Sequence, residues 1–133
     1  MEILRIIILA LSGLILFYAS SMRLINPKKA NFLQTYLADP KNKLENDADL
    51  LSETRGIGAV MFLGGIFILL GTIIAAFRQA SFVVAIVIFG GVILGRLLSM
   101  RLDSSPNSKV IGGAFAEGLF GALNAFGLAT LLL

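Results

Sequence analysis

Four apolar runs dominate this chain, at residues 3–22 (ILRIIILALSGLILFYASSM), 56–77 (GIGAVMFLGGIFILLGTIIAAF), 81–100 (SFVVAIVIFGGVILGRLLSM) and 110–133 (VIGGAFAEGLFGALNAFGLATLLL). A hydrocarbon core about 30 Å thick is crossed by roughly 20 residues of helix, and each run meets that length. Backbone in lipid must satisfy its own hydrogen bonds, so such runs fold as helices. The expected fold class is therefore all-α and integral to a membrane: a bundle of four transmembrane helices forming one domain over residues 1–133. The first run also has the outline of a secretory leader ending in FYAS. Its apolar stretch is too long and Arg5 comes too late for a leader, so we read it as a span.

Composition agrees with that reading. Hydrophobic residues make up 57% of the chain and charged ones only 14%, where a soluble domain carries about 25% charged. The mean hydropathy is +0.91. Eleven basic side chains face eight acidic ones, a net +3. No stretch joins clustered Lys/Arg to stacking aromatics, so the basic excess points to membrane topology and away from nucleic acid. The chain has no Cys and no His. Disulfides, thiol redox chemistry and imidazole catalysis are thereby excluded, haem and structural zinc lose their usual ligands, and no cofactor or metal is expected.

The connections differ in kind. Between the second and third runs only RQA intervenes, which makes those helices antiparallel neighbours. The link at 101–109 is short and polar, with Pro106 to stop a helix. The link at 23–55 is long enough for structure of its own. Within it NPKKANFLQTYLADP sets Phe32, Leu33, Tyr36 and Leu37 one turn apart, the pattern of a short amphipathic helix at the interface or of a loop with a few apolar residues. Asn46 or Asp47 then supplies an N-cap, so the second helix is expected to begin well before the bilayer. Arg23, Lys28, Lys29, Lys41, Lys43, Arg55, Arg101 and Lys109 all lie on the side of these two links, against Arg5 and Arg78 opposite. The positive-inside rule puts that side in the cytoplasm and both termini outside.

One basic residue remains, and it lies within a span. Arg96 sits about five residues, roughly 7 Å, inside the end of the third run, and Glu117 about seven residues, roughly 10 Å, inside the start of the fourth. Both depths are measured from one membrane face, so the two side chains can meet. A lone charge in hydrocarbon costs about 2.5 to 3.5 kcal/mol even on the insertion scale, and an Arg96–Glu117 pair relieves both. Other polar groups converge at this level. Arg96, Ser99 and Asp103 form one helical stripe, and Asp49, Ser52 or Glu53 and Gly56 form another, with Arg55 on a neighbouring face. Gly113, Glu117, Gly121 and Asn124 share a face of the fourth helix. Small residues at one-turn spacing allow close helix approach, and Gly91 and Gly95, with Gly64, Gly65 and Gly71, are expected to do the same. The candidate ligand-binding or charge cluster is therefore Glu53, Arg55, Arg96, Ser99, Asp103, Glu117 and Asn124.

The strings SETRGIGAVMFLGG, GRLLSMRLDSSP and AEGLFG, together with Pro27, resemble the family known only as domain of unknown function 4345. The resemblance rests on Glu53, Arg55 and Gly56, on Gly95, Arg96 and Ser99, on Asp103 and Pro106, and on Glu117. It covers nearly the whole chain. The chain departs from the pattern after the "RG", where it reads Ile57, Gly58 and Ala59 in place of a Tyr and paired glycines, and at Ser104, where a Gly is usual. The resemblance implies a small bacterial four-helix membrane protein, distantly similar to the DoxX group and set in the inner membrane. It implies no activity, since the family has none established.

Three functional readings follow from the charges. In the first, they line a polar pocket within one leaflet that holds a lipid-like or other amphiphilic molecule. The second makes them a structural clasp in an accessory or assembly subunit, as a homo-oligomer or beside a partner membrane protein. In the third the chain is a small transporter or channel using Glu117. Against the third, small multidrug exporters keep their key glutamate in the first helix, where this chain has only Glu2. The GALNAFG at residues 121–127 is a faint echo of a fluoride-channel pattern. Nothing argues for an enzyme: no nucleophile with its base, no metal-ligand set and no phosphate-cradling loop is present. Membrane lipids are the expected surroundings.

Overall fold

The computed structural model describes residues 1–29, 48–102 and 108–133. The apolar runs fold as four long helices: α1 (Glu2–Ile25), α2 (Ala48–Ile73), α3 (Arg78–Leu102) and α4 (Ser108–Leu132). Short 3-10 turns follow α1 at Pro27–Lys29 and α2 at Ala75–Phe77. All four helices are long and apolar enough to cross a membrane, and there is no strand among the described residues. The expected amphipathic segment around Phe32, Leu33, Tyr36 and Leu37, and the capping Asn46 or Asp47, lie outside the described residues.

One connection differs from the sequence expectation. RQA is not the link between the second and third helices, because Arg78, Gln79 and Ala80 already belong to the first turn of α3. The chain turns earlier, through an extended Ile74 (φ −108°, ψ 108°) and the 3-10 turn after it. The reason lies in the end of α2. The last carbonyls of a helix lack intrahelical partners. Leu70 O accepts from Ile74 N at 2.8 Å, and Gly71 O accepts from Arg78 Nε at 3.2 Å. Ending α2 at Ile73 brings Arg78 back over those carbonyls, where a cation is also favoured by the helix dipole.

α1 packs chiefly along α2, and α3 along α4; α2 and α3 join the two pairs, while α1 meets α4 over a narrower seam. The core is Ile8, Leu9, Leu16, Ile68, Phe82, Ala85 and Phe89. On α3, Phe82, Ala85 and Phe89 share one face at helical spacing, and Arg96, two heptads beyond Phe82, continues it. The outer surface carries exposed Ile3, Leu63, Ile73, Val87 and Phe115. So much outward apolar surface is what a lipid-facing bundle requires.

With lipid around it, a helix gains little from burying apolar groups against another helix, so close contact has to do more of the holding. The α1–α2 seam has that contact. A Cβ added at Gly65 would lie 2.9 Å from Phe17 N and 3.2 Å from Gly13 O, both backbone atoms of α1. Gly91 and Gly95, expected from the sequence to bring helices together, do not. Nothing lies within 4 Å of a Cβ at either. They fall on the face of α3 opposite Phe82 and Phe89, away from the bundle.

This contrast gives a paired prediction. In detergent, Gly65→Ala should lower thermal stability by about 1 to 3 kcal/mol, the usual cost of overpacking. Gly91→Ala should leave it unchanged or raise it by about 0.5 to 1 kcal/mol, because alanine favours the helix over glycine. Equal loss in both variants would refute the assignment of the two faces.

Candidate functional site: a charged cleft at one end of the bundle

The chain has six arginines, and three of them serve helix ends. Arg78 on α3 donates to Gly71 O in the last turn of α2. Arg55 on α2 donates from Nη1 to Leu24 O in the last turn of α1, at 2.8 Å. Arg5 on α1 donates to Thr130 in the last turn of α4, from Nε to Oγ1 at 3.1 Å and from Nη2 to the carbonyl oxygen. Each guanidinium supplies donors to carbonyls that the helix itself cannot satisfy. Arg78 is also paired with Glu2 at 2.7 Å, closing the end of the bundle that holds Arg5.

At the opposite end two arginines do something else. Arg96 on α3 grips Glu117 on α4 with both arms: Nε to Oε2 at 2.6 Å and Nη2 to Oε1 at 2.9 Å. This fork-on-carboxylate geometry is the strong form of ion pair. The side chains are 26% and 17% exposed, so the pair is largely enclosed. Gly113, one turn before Glu117, makes the grip possible. A Cβ there would stand 2.9 Å from Arg96 Cζ, in the space the guanidinium occupies over the backbone of α4.

Arg23, near the end of α1, joins them. It is half-buried, donates from Nη1 to Met61 Sδ at 3.0 Å, and is close enough to Arg96 and Glu117 to feel both charges. Arg23, Leu50, Glu53, Thr54, Ile57 and Arg96 line a cleft of about 300 Å³. α1 and α3 thus each contribute a guanidinium, and α2 contributes apolar wall and a carboxylate. The Thr54 hydroxyl is turned inward to Leu50 O at 2.7 Å. Glu53 is exposed, and its carboxylate makes no hydrogen bond or ion pair among the described residues.

The residues singled out from sequence divide accordingly. Arg96 and Glu117 are brought together, and Glu53 lines the same cleft. Arg55 turns to the end of α1 instead. Ser99 is exposed and does not line the cleft, because one turn from Arg96 it has rotated outward. Asp103 lies outside the described residues. Asn124 is elsewhere, about 10 Å deeper along α4 than Glu117. It is fully buried against α1, donating from Nδ2 to Ser12 Oγ at 2.7 Å and to Phe120 O at 2.8 Å, while its Oδ1 has no partner among the described residues. Arg23 was the residue that the sequence reading passed over, as a topology marker. A signal was present: Leu9, Leu16 and Arg23 are spaced by sevens, so Arg23 continues the buried stripe of α1.

Four apolar helices closed into a bundle, with one enclosed ion pair and an adjoining cleft, define a small four-helix membrane protein. The chain belongs to the family described as a domain of unknown function, DUF4345, whose model matches residues 3–128. Among curated proteins and solved structures, nothing matches it.

The ion pair makes a prediction of its own. Arg96→Met alone or Glu117→Leu alone leaves one enclosed charge without its partner and should destabilise by about 3 to 5 kcal/mol. The double variant removes both charges and should recover most of that loss. Thermal unfolding of the three variants in one detergent measures this; purely additive losses would mean that the two side chains do not interact.

Proposed function

We propose that the protein binds an amphiphile, holding its polar head in the cleft between Arg23 and Arg96 while its tail runs along the exposed apolar side of α2 from Ile57. One observation carries this reading: guanidiniums from two different helices line a single cleft of about 300 Å³ whose remaining wall includes Leu50 and Ile57. Basic pockets between helices near a membrane surface suit anionic head groups, and the adjoining apolar wall suits the start of a hydrocarbon chain. The size suits a head group better than a whole lipid. By the positive-inside count the cleft opens toward the cytoplasmic face of a bacterial inner membrane, with both termini on the other side.

A second reading is favoured by the Arg96–Glu117 geometry. The pair is satisfied without any ligand, as a clasp that sets the register of α3 on α4 in an accessory or assembly subunit would be. Arg23 separates the two readings, because it lines the cleft but is not part of that pair.

Native mass spectrometry after gentle extraction tests the proposal. Wild type is expected to retain an amphiphile at about one per chain. Arg23→Gln should retain roughly tenfold less, the effect of losing a hydrogen bond from a charged group. Equal retention by both proteins, or no adduct above that of an unrelated four-helix protein, would favour the clasp.

A further inference from the structure

The two hairpins of the bundle, α1–α2 and α3–α4, match position by position. Leu9, Ser12 and Leu16, buried on α1, recur at one constant spacing as Phe82, Ala85 and Phe89, buried on α3. Gly58, Ile68 and Gly71, buried on α2, recur in the same way as Ala114, Asn124 and Gly127 on α4. Contacts recur too: Arg5 reaches from α1 to the last turn of α4, and Arg78 from α3 to the last turn of α2. The seam between α1 and α4 is therefore built a second time between α3 and α2. Midway along the first, Ser12 meets Asn124; the matching residues of the second are Ala85 and Ile68. All four are fully buried. Ala85 and Ile68 belong to the apolar core, so the fold completes such a seam without polar groups. The Ser12–Asn124 pair is an addition that packing does not demand, and polar atoms inside a membrane are costly unless each finds a partner.

Two groups of this pair find none among the described residues. Asn124 Nδ2 donates to Ser12 Oγ at 2.7 Å and to Phe120 O at 2.8 Å, while Oδ1 has no partner. Turning the amide over does not help, because its oxygen would then face Phe120 O, which can only accept. Ser12 accepts from the amide but donates to no described group. Ser20, Thr54, Thr72, Ser81 and Thr130, by contrast, each give their hydroxyl proton to a backbone carbonyl. An acceptor and a donor thus stand side by side in the interior. Helical side chains lean toward the start of their helix, which carries the amide over Gly121. A Cβ added at Gly121 would meet only Phe89 Cβ within 4 Å, at 3.8 Å, so a group the size of a methyl fits there.

We infer that Ser12 and Asn124 hold a single water molecule between α1 and α4, which accepts from the Ser12 hydroxyl and donates to Asn124 Oδ1. Water brings both functions that the pair needs, and buried waters in proteins bridge polar groups in this way. A metal cation offers no acceptor, and a halide offers no donor. The site is separate from the cleft and does not depend on what the cleft binds.

The test is solid-state NMR of the full chain in lipid, following polarisation from water protons to assigned side chains at short mixing times. The Asn124 side-chain amide should receive it, and the methyl groups of Ala85 and Ile68, at the matching positions of the other seam, should not. Ser12→Ala removes the donor and should abolish transfer to the Asn124 amide. An Asn124 amide as dry as Ile68 in wild type would overturn the inference, and that measurement needs no variant. Transfer undiminished in Ser12→Ala would overturn it as well, since Ser12 would then hold no water.

Discussion

An arginine set inside a hydrophobic helix must find a counter-charge, and the way Arg96 finds one organises its end of the bundle. The guanidinium is in phase with Phe82 and Phe89, so packing those rings into the core also aims Arg96 inward. Glu117 meets it from α4 with two hydrogen bonds. For the fork to lie flat against α4, the preceding turn must lack a side chain, and Gly113 provides that space. Register, rotation and one glycine of the α3–α4 pair therefore answer to a single electrostatic requirement. The stacked rings of Phe89 and Phe120, with centroids 5.4 Å apart, continue the same seam toward the bundle centre.

The other arginines show what is ordinary here. Arg5, Arg55 and Arg78 each reach from one helix to the last turn of a neighbour, where carbonyls have no partner and the dipole favours a cation. A charge used in this way is part of how the helices end. Arg23 and Arg96 bond to side chains of other helices and face a common cleft. It is this difference in use, more than the number of charges, that marks one end of the molecule as the place to look for a ligand.

Much of this was legible in the residues. Run length and the backbone's need for internal hydrogen bonds dictate four helices. The Arg96–Glu117 pairing follows from their similar depth on helices joined by a short link. The helix ends were less legible, since α2 stops where Arg78 can cover its carbonyls, a contact between neighbouring helices that hydropathy does not register. The glycines divided for the same reason. Gly65 and Gly91 look alike as small residues in apolar runs, but only the rotation of each helix decides that one meets α1 and the other faces outward. Asn124 shares a helical face with Glu117 and was grouped with it, yet α1 offers Ser12 at that depth, and the amide is taken into the core. Arg23 was masked by its position just past the first apolar run, where a basic residue ordinarily marks topology.

The account stands on the contact between Arg96 and Glu117 inside a bilayer. Solid-state NMR of the protein reconstituted in lipid, with the guanidinium nitrogens of Arg96 and the carboxyl carbon of Glu117 selectively labelled, measures it directly. Strong nitrogen–carbon dipolar coupling at both Nε and Nη2, as the 2.6 and 2.9 Å bonds require, is the expected result. Absence of coupling at both nitrogens, in protein that retains its helices, would contradict it.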